Sequence, residues 1–253
     1  MKCSICIATF NKASWLAKTL DSIVRQNIPF DWEVIVVDDG STDNTVDVCQ
    51  QFGKISYIRI DREPVFRNPS MARNVAYRAA KGDVLICQSD EVLHVANNTI
   101  EHLTMELEPN TFSVATVWNT DKDGNHKPLE QWPKIVQLTG PKLRRPFFFL
   151  GSLLRSDMYK AGGNDELYES PGSDDNAFAD SLMRGLKLQP NFVDIVGHHV
   201  EHPRPKDLHK QCGPSIVRYR NRHARCILKQ ESWLSPTAPW PYVPQQSLEK
   251  ING

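Results

Sequence analysis

Short apolar runs alternate with stretches of helical period through the first half of the chain. Cys3–Ala8, Glu33–Val37, Ile55–Ile60, Asp83–Cys87 and Phe112–Val117 are rich in Ile, Val, Leu and Cys. Such runs read as strands covered on both faces. Between them, Ser14–Gln26 places Leu16, Leu20, Ile23 and Val24 on one helical face. Ser41 is the predicted cap of a helix over Thr42–Phe52, with Asp43 in its first turn. A further helix is predicted over Ser70–Ala80, ended by Lys81-Gly82. Asn98 opens another, with Ile100, Leu103 and Leu107 facing inward. Strand–helix alternation of this kind predicts a doubly wound, mostly parallel sheet flanked by helices.

The pattern changes after the fifth strand. Asn119–Leu143 is polar and broken by Asp-Gly, Lys-Pro and Gly-Pro steps, which predicts an irregular loop over an active site. Phe147–Leu154 is the next predicted strand. Asp174–Gly185 is a predicted helix with Phe178, Leu182 and Leu186 inside, and Phe192–Val196 a late strand ending at a histidine cluster. Ser215–Lys229 has helical period. Ser235–Ser247 is Pro-rich, carries Trp240 and has no period, so it is expected to lie extended on the domain or to be disordered. The expected organisation is a domain over residues 1–203, then a basic helix and a Pro/Trp-containing tail over 204–253 packed on it.

Composition adds little to this. With 253 residues, 40% hydrophobic and 24% charged, the chain is an ordinary globular one, long enough for one large α/β domain. Its formal net charge of zero names no partner. Residues 204–229, however, hold eight Lys/Arg and one acid, a local charge of +7. Cys3-x-x-Cys6 lies in a strand, where residues three apart face opposite ways, so it reads as buried thiols rather than as a redox or zinc motif. Met1–Thr9 lacks the features of a secretory signal and no apolar run approaches the ~20 residues of a membrane span. The expected location is the cytoplasm, in a reducing compartment.

Chemistry concentrates at predicted strand ends, where open α/β sheets bind ligands. The first strand ends in Thr9-Phe10-Asn11, which can contact a nucleoside. The second ends in Asp38-Asp39-Gly40, whose acids can accept hydrogen bonds from a base N–H or a ribose hydroxyl. A turn with a helix cap explains the same residues. Pro69 and Ser70 open a helix carrying Arg73 and Asn74 in its first turn, suited to a diphosphate. After the fourth strand come Gln88-Ser89-Asp90-Glu91. Adjacent carboxylates there call for a cation or solvent, and hard divalent ions bridge such oxygens to phosphate.

The order Thr-x-Phe-Asn, Val-Val-Asp-Asp-Gly-Ser, Ala-Arg-Asn and Lys-Gly-Asp-x-x-x-x-x-x-Asp resembles family 2 glycosyltransferases of the GT-A fold over roughly residues 1–200. The resemblance implies that Asp38 and Asp39 hold uracil and ribose and that Arg73 lies near base and diphosphate. Gln88-Ser89-Asp90 stands in place of the family's Asp-x-Asp motif, with Gln88 where the first Asp belongs. It implies Mn²⁺ or Mg²⁺ as cofactor, held by Asp90 and Glu91 with a histidine from the late cluster, His199 and His202 matching best. Asp175, with Asp174 second, matches the base that deprotonates the acceptor; helix capping is the other reading of this pair. Gly151, Ser152, Asp165 and Glu166 match acceptor-side segments.

The implied reaction is inverting transfer of a sugar from a nucleotide diphosphate donor, a UDP-sugar favoured, to a hydroxyl acceptor. Arg218, Arg222, Arg225 and Lys229 share one face of the predicted basic helix. Val217, Ala224 and Leu228 form an adjacent apolar stripe expected to dock on the domain. The cationic face suggests an anionic acceptor, such as nucleic acid, an anionic glycan or a lipid headgroup; a solvated helix face is the plainer reading. Two other classes remain. A nucleotidyltransferase would need a Gly-rich phosphate loop after the first strand, absent from Thr9–Ser14. A catalytically inactive sugar- or nucleic-acid-binding relative is kept open by Gln88.

Overall fold

A computed structural model describes residues 2–53, 55–128, 134–141 and 149–241 of the chain. In chain order its elements are β1 (Lys2–Thr9), α1 (Ala13–Val24), β2 (Asp31–Asp38), α2 (Thr45–Gln50), β3 (Ile55–Arg59), α3 (Ser70–Ala79), β4 (Val84–Ser89) and β5 (Val92–His94). There follow α4 (Thr99–Met105), β6 (Thr111–Thr120), β7 (Gln137–Thr139), β8 (Leu150–Leu154), α5 (Arg155–Ala161) and α6 (Asp174–Asp180). A π-helical turn over Ser181–Gly185 extends α6, and β9 (Gln189–Val200), α7 (Leu208–Gln211) and α8 (Gly213–Leu228) complete the described fold.

One sheet runs β3-β2-β1-β4-β8-β6-β9-β5, with β7 on β6. β1, β2, β3 and β4 pair in parallel; β8 enters antiparallel between β4 and β6. Helices cover both faces. Leu16, Leu20, Ile100 and Leu103 join Cys3, Ile5 and Ile7 in one core, while Ala72, Ala76, Met158 and Phe178 join Cys6, Leu85 and Cys87 in the other. Cys3 and Cys6 thus face opposite sides of β1, as their spacing requires. Burying this much aliphatic surface on both faces, at about 25 cal/mol per Å², is what holds the three layers together.

Several boundaries differ from expectation. Ser41 does not cap α2; its hydroxyl accepts the Asn11 N–H at 2.9 Å, and α2 begins only at Thr45. β6 continues through Asn119 and Thr120, and β7 adds a strand inside the supposed loop, because both find partners in the sheet. β9 is longer than its apolar run and carries Gly197, His198 and His199 within the strand. The expected strand start at Phe147 lies outside the described residues.

The basic helix forms as expected but docks the other way round. Ser215, Arg222 and Cys226 are buried, whereas Val217, Ala224 and Leu228 are exposed, Leu228 by 80%. The Arg222 guanidinium donates to the carbonyls of Trp233 and Leu234 in the strap formed by residues 230–241, which satisfies a charge that burial would otherwise penalise. Beyond α8, residues 230–241 run back over the domain. Trp240 is buried, with Tyr159 at 5.5 Å and the Arg78 guanidinium 4.2 Å above its ring. Gly163, at φ +64, lies under that ring, where a Cβ would collide with it.

Candidate active site

The strand order places the topological switch between β1 and β4, and the site opens at their carboxyl ends. A cavity of about 150 Å³ there is lined by Thr9, Phe10, Asp39, Arg73, Ser89 and Asp90, among others. Asp39, Arg73 and Asp90, distant in sequence, therefore share one cleft, and Asp175 reaches it through Arg73.

The two acids at the end of β2, Asp38 in the strand and Asp39 just past it, have separate fates. Asp38 is fully buried, and its oxygens accept the Ser41 N–H at 2.7 Å, the Tyr57 hydroxyl at 2.6 Å and Arg59 at 3.1 Å. Its lone pairs hold the turn and the neighbouring strand, so Asp38 is not turned to a ligand. Gly40 makes that turn possible: its φ is +88, and a Cβ would lie 2.6 Å from the Arg62 carbonyl oxygen. Asp39 instead lines the cavity and pairs with Arg62.

Three other expected donor contacts are engaged within the protein. Asn11 accepts the Thr42 N–H at 2.7 Å and clasps the two rim loops together. Asn74 is fully buried; it donates to the Asn164 carbonyl and to Glu166, both at 2.8 Å. The Gln88 amide donates to the Val92 carbonyl and faces His94 Nε2, each at 2.9 Å, so the residue replacing the family's acid knits the turn between β4 and β5. Burial lowers the His94 pKa to about 3, leaving its ring neutral.

On one side of the cavity, α3 and α6 bring Arg73 against the Asp174–Asp175 pair. Arg73 Nη1 donates to Asp174 at 2.7 Å and to Asp175 at 3.1 Å. Asp174 also accepts Asn68 at 3.1 Å and is buried, whereas the Asp175 side chain is 25% exposed. Burial, then the Asp174 charge, raise the Asp175 pKa to about 6 against the opposing pull of Arg73. That value suits a general base near neutrality. Ser173, immediately before α6, lies in the left-handed region at φ +63.

On the other side, sheet register assembles a second constellation. β9 lies between β5 and β6, with Val92 opposite His199 and Asn119 beside it. His199 Nε2 is 3.2 Å from Glu91 Oε1, and His202 Nε2 is 3.6 Å from the same oxygen. Glu91, His199 and His202 present ligand atoms within 4.8 Å of one another. Asn119 donates its NH₂ to the Lys127 carbonyl, so its oxygen receives the proton on His199 Nδ1 at 3.0 Å. The Pro203 carbonyl fixes His202 in the same way at 3.1 Å. Burial lowers both histidine pKa values, that of His202 to about 3.

Two neutral imidazoles therefore aim Nε2 lone pairs at a carboxylate with no proton between them. His202 Nε2 is buried without a hydrogen-bond partner. A divalent ion fits this set: one carboxylate and two imidazoles whose other nitrogens are held by outer partners. Asp90 stands beside the set rather than in it. Its oxygens accept the Thr9 hydroxyl at 2.7 Å and the Lys12 ammonium at 3.2 Å. Burial, then Glu91's charge, raise its pKa, while Lys12 counts most among the groups that outweigh burial at Glu91 and hold it low.

The expected acceptor residues lie elsewhere or are engaged. Gly151 and Ser152 are buried in β8 between β4 and β6, and the Ser152 hydroxyl donates to the Leu103 carbonyl. Asp165 pairs with Arg218 at 3.1 Å, Glu166 holds Asn74 and Arg78, and Arg225 pairs with Glu231 at 2.9 Å. Arg222 is buried in the strap. Three of the four cations of the supposed ridge, Arg218, Arg222 and Arg225, thus have partners within the protein, and Lys229 is exposed. Lys12 and Arg204, whose guanidinium donates toward His199 Nε2 at 3.4 Å, went unnoticed in the sequence. A lysine directly after the Thr-Phe-Asn strand exit was the available signal for the first.

A twisted α/β sheet with an acid-lined cleft at the switch point, closed by a late strand carrying histidines, defines a GT-A-type domain. The profile described as Glycosyl transferase family 2 matches residues 4–163, and the chain belongs to that family. Among curated proteins, it is 37% identical over 97 residues to the poly(ribitol-phosphate) beta-glucosyltransferase of Bacillus spizizenii, covering 37% of this chain and 15% of that one. It is 29% identical over 143 residues to the uncharacterized glycosyltransferase YfnE of Bacillus subtilis, covering 55% and 36%. The matches span well under half of those relatives. Among solved structures, the mannosyltransferase PcManGT from Pyrobaculum calidifontis, in complex with GDP-Man and Mn²⁺, superposes with a TM-score of 0.60 at 18% identity, covering 88% of this chain and 64% of that one. S. aureus TarS 1–349 in complex with UDP-GlcNAc gives 0.58 at 17% identity, covering 86% and 66%. The fold is shared with both. Asp174, Asp175, His199 and His202 all lie beyond the matched family segment.

Proposed function

We propose that this chain transfers a sugar from a nucleotide diphosphate donor, a UDP-sugar favoured, to a hydroxyl acceptor with inversion. The observation that carries the reading is one cleft lined by Arg73, which is bonded to Asp175, and by Glu91, which lies against His199 and His202. Relatives named as glycosyltransferases, and neighbours solved with nucleotide sugars and Mn²⁺, support it.

Asp39 and Phe10 line the cleft where a nucleoside would lie, and Arg73 offers a fixed positive charge to the phosphates. Glu91, His199 and His202 would hold Mn²⁺ or Mg²⁺. Such an ion, when bound, offsets charge on the departing diphosphate. Asp175 takes the proton from the acceptor hydroxyl as its oxygen forms the bond to the anomeric carbon. The bond from that carbon to the diphosphate oxygen breaks, and the nucleoside diphosphate leaves with the electron pair. Asp174, locked by Asn68 and Arg73, orients the pair and keeps the Asp175 pKa high.

The test is a thermal-shift series of nucleoside diphosphates and their sugars with and without Mn²⁺. Stabilisation by UDP or a UDP-sugar that grows with Mn²⁺ is expected. A chain indifferent to every nucleotide would sink the reading.

A further inference from the structure

The geometry points to Lys12 as a resident counter-ion of the metal-ready set, displaced when a divalent ion binds and then turned to the donor's diphosphate. This rests on the reading above and deepens it. Lys12 Nζ is 2.8 Å from Glu91 Oε2 and 3.2 Å from Asp90 Oδ1. Glu91 is therefore divided: one oxygen faces the ammonium, the other faces the two imidazole lone pairs. A divalent ion at Glu91, His199 and His202 would share that carboxylate with a like charge. Two cations so close repel, and burial keeps water from screening them.

Lys12 is built to give way. Its charge sits on a flexible four-carbon stem, unlike the rigid planar guanidinium of Arg73, whose Nη1 holds both of its acids. Its side chain is 20% exposed, and it lines the same cavity as Thr9, Asp39 and Arg73. An ammonium leaving the acids therefore stays beside the space assigned to the diphosphate. The acids and the phosphates compete for it, so a donor that attracts Lys12 frees Glu91 for the ion. Ion and donor then help each other bind, by the same factor in both directions.

The experiment is titration of Mn²⁺ into the full chain, followed by the electron paramagnetic resonance of unbound Mn²⁺, with and without UDP and corrected for the UDP·Mn²⁺ complex. In the natural chain, UDP should tighten Mn²⁺ binding by about 5–150-fold. Lys12→Met should bind Mn²⁺ alone about tenfold more tightly, lose most of the UDP coupling, and bind UDP about tenfold more weakly at saturating Mn²⁺. Lys12→Arg, which keeps a charge there, should leave Mn²⁺ alone bound as weakly as in the natural chain. Lys12→Gln replaces the methionine variant if that one does not fold. Unchanged or weaker Mn²⁺ affinity in the neutral variants overturns the inference while leaving the proposed function standing, provided the natural chain binds both ligands. Absence of Mn²⁺ binding in all variants, with or without UDP, overturns the metal-dependent reading and this inference together.

Discussion

Two pairs of consecutive acids each bond to a cation that lines the cleft, Arg73 in one case and Lys12 in the other, and the two cations differ in kind. Asp174 and Asp175 are gripped by Arg73 through two charge-assisted bonds from one nitrogen. Asp90 and Glu91 are answered by Lys12. Arginine stays charged and holds its geometry, so the first pair is fixed and one of its acids, raised to about 6, is left able to accept a proton. Lysine is a movable point charge, and the second pair lies against two imidazole lone pairs that it does not satisfy. In the proposed reaction the first pair would do proton chemistry in place, and the second would receive an ion. Like charges on neighbouring residues have no single meaning, and the cation supplied by the fold decides which use they serve.

The comparison breaks most sharply at Asp175. Asp175→Asn should lower sugar transfer by about 10²–10⁴-fold while calorimetry finds UDP binding nearly unchanged. Retained turnover with lost donor binding would reverse the roles of the two sides. On the opposite side, Asn119→Ala removes the acceptor that fixes the His199 tautomer. Mn²⁺ affinity should fall about 10–100-fold, with donor binding in the absence of metal unaffected; an unchanged Mn²⁺ isotherm would remove β6 from the metal side.

A smaller effect is expected in the pH profile. Asp175 must be ionised to accept a proton, so kcat/KM should rise with pH through an apparent pKa near 6. Arg73→Met removes the charge that opposes burial, and the rising limb should move above 6; a limb that stays put or moves down would assign the titration to another group. Least of all should come from Arg225→Ala. Its pair with Glu231 is nearly half exposed on both sides, and such pairs contribute about 0.2–1 kcal/mol. Loss of more than that in chemical denaturation would mean that α8 leans on its surface charges as well as on Arg222.

Much of the fold was legible because burial on both faces writes continuous apolar runs into β1, β2 and β4, and helical period into α1 and α4. Cys3 and Cys6 were correctly separated by strand geometry alone. Asp39, Arg73 and Glu91, expected at strand and helix ends, line one cavity, and Asp175 is bonded to Arg73 there. Other expected contacts turn inward. Asp38, Asn11, Asn74 and Ser152 have the right chemistry at plausible positions, but their hydrogen bonds go to Ser41, Thr42, Asn164 and Leu103, partners that spacing does not reveal. The face of α8 was misjudged because Arg222 counts as polar until its guanidinium meets the Trp233 and Leu234 carbonyls. Outward-facing Val217 and Leu228 then carry no weight in docking.

By itself, the sequence determined the strand–helix alternation of the first half, the strands β1 to β4, and the residue types able to carry charge at their ends, since periodicity and turn chemistry are local properties read along one chain. Tertiary structure alone decided which of those charges face one another. Glu91 meets His199 because β9 pairs with β5, about a hundred residues away along the chain. Lys12 meets Asp90 at the cavity because β1 and β4 are sheet neighbours. Coulomb energy and desolvation depend on distance in space, and only the folded sheet sets those distances.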